Sequence, residues 1–129
     1  MNQNGYINIT VEEHQPQQLK VWKNGMVIYS SLANTGVSAA PTPTGTWPIY
    51  LRFSSQTMEG ITPWGDQYSD SGVPYVNYFH GGDAIHGFWR KSYGWPQSLG
   101  CVELPVENAK AVYNLVAYGT LVTIYNSMS

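Results

Sequence analysis

The chain carries one thiol, Cys101, in the stretch SLGCVELP, and three imidazoles, His14, His80 and His86. A thiolate is a strong nucleophile near neutral pH when a base stands beside it. A cysteine and a histidine brought together by the fold would therefore support acyl transfer through a thioester. The plainer alternative is a thiol that only packs, since free cysteine behaves as a small hydrophobe. The surroundings of Cys101 speak for chemistry. Gly100 precedes it and a helix begins near Pro105, so the backbone turns here. Successive N–H groups at such a turn make an anion-binding nest, suited to the oxyanion of an acyl-transfer intermediate. Among the candidate bases, His14 lies in the hydrophilic stretch EEHQPQQ and reads as an exposed loop residue. His80, in FHGG, falls at a turn. His86, in AIHGF, ends an apolar strand that can hold it rigidly.

The same residue types also suit a metal. His80, Asp83, His86 and Cys101 offer nitrogen, oxygen and sulfur ligands. Their spacing matches no zinc motif, and Gly81-Gly82 between the two histidines reads as a turn. No metal and no cofactor are expected, and a zinc-dependent hydrolase stays as an alternative.

Composition limits the setting. A chain of 129 residues fits one domain, residues 1–129, with a real core. Six Lys and Arg and a net charge of −2 give no basic field, so no nucleic-acid partner is expected. No apolar run is long enough for a membrane-spanning helix. The start, MNQNGYINIT, lacks the basic-then-apolar order of a secretory signal. Charged residues make up 11% and aromatics 14%, a composition that suits glycan or peptide ligands as well as core packing. A single cysteine cannot form an internal disulfide, so it does not report the redox compartment.

Most elements that must position Cys101 and His86 read as strands. YINITV alternates Ile7, Ile9 and Val11 on one face. QLKVWKNGMVIYSS predicts a hairpin turning at Asn24-Gly25, a pair suited to positive φ at both positions. NTGVSAAPTPTG is a loop, and TWPIYLRF a strand in which Pro48 marks an edge or bulge. SSQTMEGITPWGDQYSDSGVP has no clean periodicity and is expected to be a functional flap or to hide a short strand. PYVNYF and DAIHGF follow as strands separated by HGG. The one substantial helix is PVENAKAVYNLVAYG, with Val106, Ala109, Tyr113 and Val116 as its apolar stripe. Pro105 is placed at its first position, Glu107 in its first turn and Gly119 at a left-handed cap. TLVTIY closes the chain as a strand.

From AIHGF to TLVTIY the sequence resembles the catalytic half of the L,D-transpeptidases, the YkuD-domain family. That family reads His-Gly, a loop of about a dozen residues, then Ser-His-Gly-Cys, a hydrophobic residue and often Arg or Asn. Here His86-Gly87 is followed by Ser98-Leu99-Gly100-Cys101-Val102-Glu103. KVWKNGMVIYSSLANTG and TPTGTWPIY resemble the family's amino-terminal strands and its T-P-x-G segment, and VPYVNYF the strand before the catalytic histidine. Only residues 54–72 match weakly.

The resemblance implies a mainly β fold, a β-sandwich of mixed sheets with one substantial helix after the cysteine. It implies Cys101 as nucleophile, His86 as general base, and the Gly87 carbonyl as the group that orients the imidazole. Backbone N–H groups of Gly100, Cys101 and Leu99 would form the oxyanion hole. Ser98, Glu103 and Trp89 would meet substrate, with Trp89, Tyr93 and Trp95 lining or covering the groove or simply pinning the loop. The implied substrate is the peptidoglycan stem peptide, cross-linked 3→3 with loss of D-alanine. Water as acceptor would make an L,D-carboxypeptidase, and a catalytically silent cell-wall binding module is the remaining alternative. Carbapenem-type inhibitors are expected partners. Family members work outside the cytoplasmic membrane, so a processed or excised domain is expected. Two positions depart from the family. Leu99 stands where many members have His, and Glu103 where Arg or Asn is usual. Glu103 is expected to raise the thiol pKa from beside it, or to pair with Arg90 or Lys91, or to be a solvated residue before the helix.

Overall fold

The computed structural model describes residues 6–128. The opening five residues of the stretch read for an export signal, and Ser129, lie outside the described residues. Two sheets form the body. The first has five strands in the order β3-β2-β1-β9-β4: β1 (Ile7–Glu12), β2 (Gln18–Lys23), β3 (Met26–Leu32), β4 (Gly45–Pro48) and β9 (Leu121–Tyr125). The second has four, in the order β5-β6-β7-β8: β5 (Leu51–Ile61), β6 (Gln67–His80), β7 (Asp83–Gly87) and β8 (Val102–Leu104). Each sheet mixes directions, because β1 runs parallel to β9 and β7 parallel to β8. One helix, α1 (Val106–Leu115), packs on β6, β7 and β8. The fold is the mainly β sandwich with one substantial helix that the sequence leads one to expect.

Alternation along the strands builds the core. Ile9 and Val11 of β1, Val21 of β2, and Val122 and Ile124 of β9 pack with Ile85, Val102 and Leu104 of the second sheet and with Ala109 and Val112 of α1. Each such fully buried Ile, Val or Leu side chain contributes about 1.5–3 kcal/mol. The Asn24-Gly25 turn has φ of 52° and 82°, as its hairpin requires. No described helix is long and apolar enough to cross a membrane.

The structure corrects several boundaries. TWPIYLRF is two strands, not one: the chain leaves the first sheet after Pro48, at its β4 edge, and enters the second at Leu51. Residues 54–72 belong to a long antiparallel hairpin, β5–β6, turning at Thr62–Asp66. The stretch after Cys101 holds the three-residue strand β8 before the helix. Pro105 is the N-cap rather than the first helical residue, and its carbonyl accepts the Ala109 N–H at 2.9 Å. Gly119 does not cap the helix. α1 ends at Leu115 because Val116 is already extended, and Gly119 takes its φ of 90° in the turn that leads to β9. Val112 joins Ala109 as a buried residue of the helix, while Val106 and Tyr113 are half-buried.

Candidate active site

The two faces of β7 do different work. Ile85 points into the core, while Ala84 and His86, two residues apart, share the opposite face. Gly87 sits against the helix. A Cβ there would lie 3.1 Å from Pro74, 3.2 Å from Ala109 and 3.2 Å from Val106, tight enough that α1 or Pro74 would have to give by a few tenths of an ångström. The parallel pairing of β7 with β8 sets Ile85 level with Val102 and His86 level with Glu103. Cys101, one residue before β8, falls beside Ala84, whose N–H donates to Sγ at 3.4 Å. The thiol donates to the Gly82 carbonyl at 3.8 Å.

Cys101 and His86 line one cavity of ≈ 480 Å³ with Met58, Tyr68, Asp70, Phe88, Arg90, Ser98, Leu99 and Glu103 among its walls. His86 is buried, and its Nδ1 lies 2.8 Å from the Gly87 carbonyl oxygen. A carbonyl only accepts, so Nδ1 carries the proton and Nε2 is left as a proton acceptor. Burial holds the His86 pKa below its ordinary value, opposed by the Gly87 hydrogen bond and the Glu103 carboxylate. Burial pushes the Cys101 thiol up to about 12, the Ala84 N–H opposes that, and the carboxylates of Asp83 and Glu103 add to it. The resting pair is therefore a neutral thiol and a neutral imidazole. For this sulfur to act as a nucleophile it would have to lose its proton as it attacks.

The turn before Cys101 is tightly built. Gly100 has φ of +122°, a conformation that favours glycine, and a Cβ on it would stand 2.4 Å from Asp83 Oδ1, so that carboxylate would have to move. Thr42 Oγ1 donates to the Gly100 carbonyl at 2.7 Å and accepts the Gly36 N–H at 2.9 Å. Ser98 is buried, its hydroxyl donating to the Cys101 carbonyl and accepting the Gly100 N–H at 3.2 Å. Ser98 thus works within the turn even though it lines the cavity. Of the three expected oxyanion donors, Gly100 is already engaged by that hydroxyl. The Leu99 and Cys101 N–H groups make no hydrogen bond among the described residues.

Other expected site residues lie elsewhere or act differently. Trp89 does not line the cavity. It is 63% exposed and touches only the Phe88 ring among aromatic neighbours, at 6.1 Å between centroids. Tyr93 and Trp95 are also outside the cavity wall. The Tyr93 hydroxyl donates to the Phe88 carbonyl and accepts the Arg90 N–H, and Trp95 Nε1 donates to Ser92 Oγ, so both pin the loop. Glu103 is not a solvated residue. It is 4% exposed and forked by Arg90, with Nε on Oε1 at 2.9 Å and Nη2 on Oε2 at 2.9 Å, while Asn34 Nδ2 adds a third contact at 3.3 Å. Lys91 is exposed and takes no part in that pair. His14 is exposed as its sequence suggests. His80, at the end of β6, pairs with Asp83 at 3.5 Å and packs on Trp47 with centroids 4.5 Å apart. Among the described residues no three His, Cys, Asp or Glu side chains converge as a metal would need.

A YkuD family model, described as an L,D-transpeptidase catalytic domain, matches residues 6–124. The chain belongs to the YkuD family. No curated protein matches it by sequence. Among solved structures, this YkuD domain is similar to an L,D-transpeptidase from Mycobacterium smegmatis, with a TM-score of 0.81 and 22% identity over 92% of this chain and 58% of that one. It is similar to the catalytic domain of the Enterococcus faecium L,D-transpeptidase, with a TM-score of 0.82 and 24% identity over 96% of this chain and 100% of that one. The same E. faecium domain acylated by ertapenem gives a TM-score of 0.79 at 24% identity, with the same coverage. The chain spans little more than half of the M. smegmatis protein. These likenesses establish the YkuD fold.

Asn34 and Thr42 are residues of this YkuD site to which sequence reasoning assigned no role, while Asp83 enters it beside Gly100 rather than as a metal ligand and Arg90 as the partner of Glu103. Thr42 stands in the T-P-x-G segment, the one available signal. Asp83 offers a direct check on the electrostatics. Asp83→Asn keeps the shape against Gly100 and removes a charge that disfavours the thiolate. The pH profile of Cys101 alkylation by iodoacetamide is expected to move toward lower pH, by about one unit or less. An unmoved or alkaline-shifted profile would contradict this assignment.

Proposed function

We propose that the chain is a cysteine-dependent L,D-transpeptidase that acts on peptidoglycan stem peptides outside the cytoplasmic membrane. The supporting observation is the Nδ1 contact of His86 with the Gly87 carbonyl at 2.8 Å, which leaves Nε2 free beside the cavity that Cys101 lines. In the first step Nε2 takes the thiol proton as Sγ attacks the carbonyl carbon between the third stem residue and D-alanine. The oxyanion falls to the N–H groups of Cys101 and Leu99, with Gly100 joining if its bond to Ser98 opens. Collapse breaks the C–N bond, the imidazolium returns the proton to the leaving amine, and D-alanine departs from a thioester on Cys101. An acceptor amine then attacks the thioester, its proton passes to His86 and on to Sγ, and a 3→3 cross-link forms. Glu59 and Asp70 on the cavity wall favour a cationic amine acceptor over water, the acceptor that would give an L,D-carboxypeptidase. Carbapenem-type compounds would acylate the same sulfur, as ertapenem acylates the E. faecium domain.

Intact-mass measurement after incubation with a tetrapeptide stem is the test. The expected species is protein plus donor acyl group, with D-alanine free in solution and the label on Cys101. Adding an amine acceptor should clear the adduct and yield the cross-linked peptide. Absence of an adduct with both tetrapeptide and carbapenem would leave a silent module instead.

A further inference from the structure

The cavity's charges are unevenly placed. Glu59, Asp70 and Glu103 line it, and Arg90 is the single lysine or arginine among the described lining residues. A carboxylate entering this space is repelled by Glu59 and Asp70 on the hairpin side and has one cation to meet. That cation is held ready. Glu103 forks it through Nε and Nη2, Nη2 also donates to the Gln97 carbonyl at 3.2 Å, and the guanidinium lies 4.9 Å over the Phe88 ring. Nη1 makes no hydrogen bond among the described residues, and the side chain remains 31% exposed. A planar guanidinium fixed on two sides loses little further freedom when a ligand arrives.

We propose that Arg90, clamped by Glu103, binds the α-carboxylate of the leaving residue through Nη1, and so makes the site specific for donors that end in a free acid. This rests on the transpeptidase reading above. It sets a direction in the cavity, with the leaving group toward the loop that carries Arg90 and the acceptor toward Asp70 and Glu59.

The experiment compares a tetrapeptide ending in D-alanine with the same peptide ending in D-alaninamide. Binding is measured by calorimetry on Cys101→Ala, which does not turn over, and D-alanine or D-alaninamide release is measured on the otherwise native chain. The free acid is expected to bind at least tenfold more tightly than the amide, and to show a similar advantage in kcat/KM. Arg90→Gln should erase both preferences, the free acid falling to the level of the amide. Arg90→Lys, which keeps charge but not the fork, should retain part of the preference. Because Arg90→Gln leaves Glu103 buried without its cation, Arg90→Gln with Glu103→Gln is tested alongside to restore a neutral pair, and the same loss of preference is expected. Equal binding of acid and amide by the Cys101→Ala protein would overturn the assignment even if D-alanine is released. So would an Arg90→Gln variant that loses both donors equally. Absence of any acyl adduct on the native chain would instead defeat the transpeptidase reading, while a carboxylate preference in binding would still stand on its own measurement.

Discussion

Replacing Cys101 by Ala is expected to abolish acyl-enzyme formation and D-alanine release while leaving the fold in place. Sγ is the only nucleophilic sulfur in the chain, and its neighbours are the Ala84 N–H and the Gly82 carbonyl rather than core side chains alone. The residue is half-buried, and losing one sulfur from such a position costs on the order of 1 kcal/mol. Circular dichroism melting should therefore show a nearly native transition. Intact mass after tetrapeptide or carbapenem should show no adduct. D-alanine release at the native rate from this variant would sink the mechanism, because no other group of the cavity can form the thioester. Cys101→Ser should fall between the two at best, since a hydroxyl of much higher pKa must lose its proton to the same imidazole.

His86→Ala should slow acylation by roughly a hundred- to ten-thousandfold, the ordinary worth of a positioned general base. His80→Ala should do much less, because that ring packs on Trp47 and reaches the site only through Asp83. Equal losses from the two would point to a shared role that the geometry does not show. His86 is buried and stands edge-on to Phe88 at 5.8 Å, so His86→Asn serves as a second, less disruptive variant. The pH dependence carries a sign of its own. Burial lowers the His86 pKa, so the imidazole stays neutral in the folded chain as pH falls through its usual range. The unfolded chain takes up that proton near pH ~6.5. The unfolded state then binds more protons, so stability is full above that pH and declines as pH drops below it. His86→Asn should remove this portion of the acid sensitivity, which a denaturant titration at several pH values reads directly.

How far the sequence revealed this arrangement depended on the kind of signal. The Asn24-Gly25 hairpin, the strand through Ile85 and the helix from Val106 were legible because their apolar residues keep a period while one face is buried. The β5–β6 hairpin was not. Its outer part does alternate, with Gln56, Met58 and Gly60 half-buried between exposed neighbours, but of those three only Met58 is apolar, so no apolar stripe can be read. β8 was hidden by its shortness, three residues that are all buried. Cys101, His86 and Gly87 stood out through residue type and spacing together with the family resemblance. Arg90 was legible only as one of two cations in FWRKSY able to pair with Glu103, and it is the loop's return to β8 that brings its guanidinium, and not the exposed Lys91, onto that carboxylate.

The order of the first sheet has a consequence for how the protein comes into being on the ribosome. β9 lies between β1 and β4, so the earliest and the latest described strands are neighbours, and β4 joins the sheet only through β9. Residues 8–12 wait for residues 121–125 before their second edge is covered. Contacts so distant along the chain make closure slow and late. Until the last strand emerges, β1 and β4 present open edges and Ile9 and Val11 lack Val122 and Ile124 to pack against. The β1-β2-β3 meander can pair as it is made, but the β4 side of this sheet can close only once β9 has been synthesised.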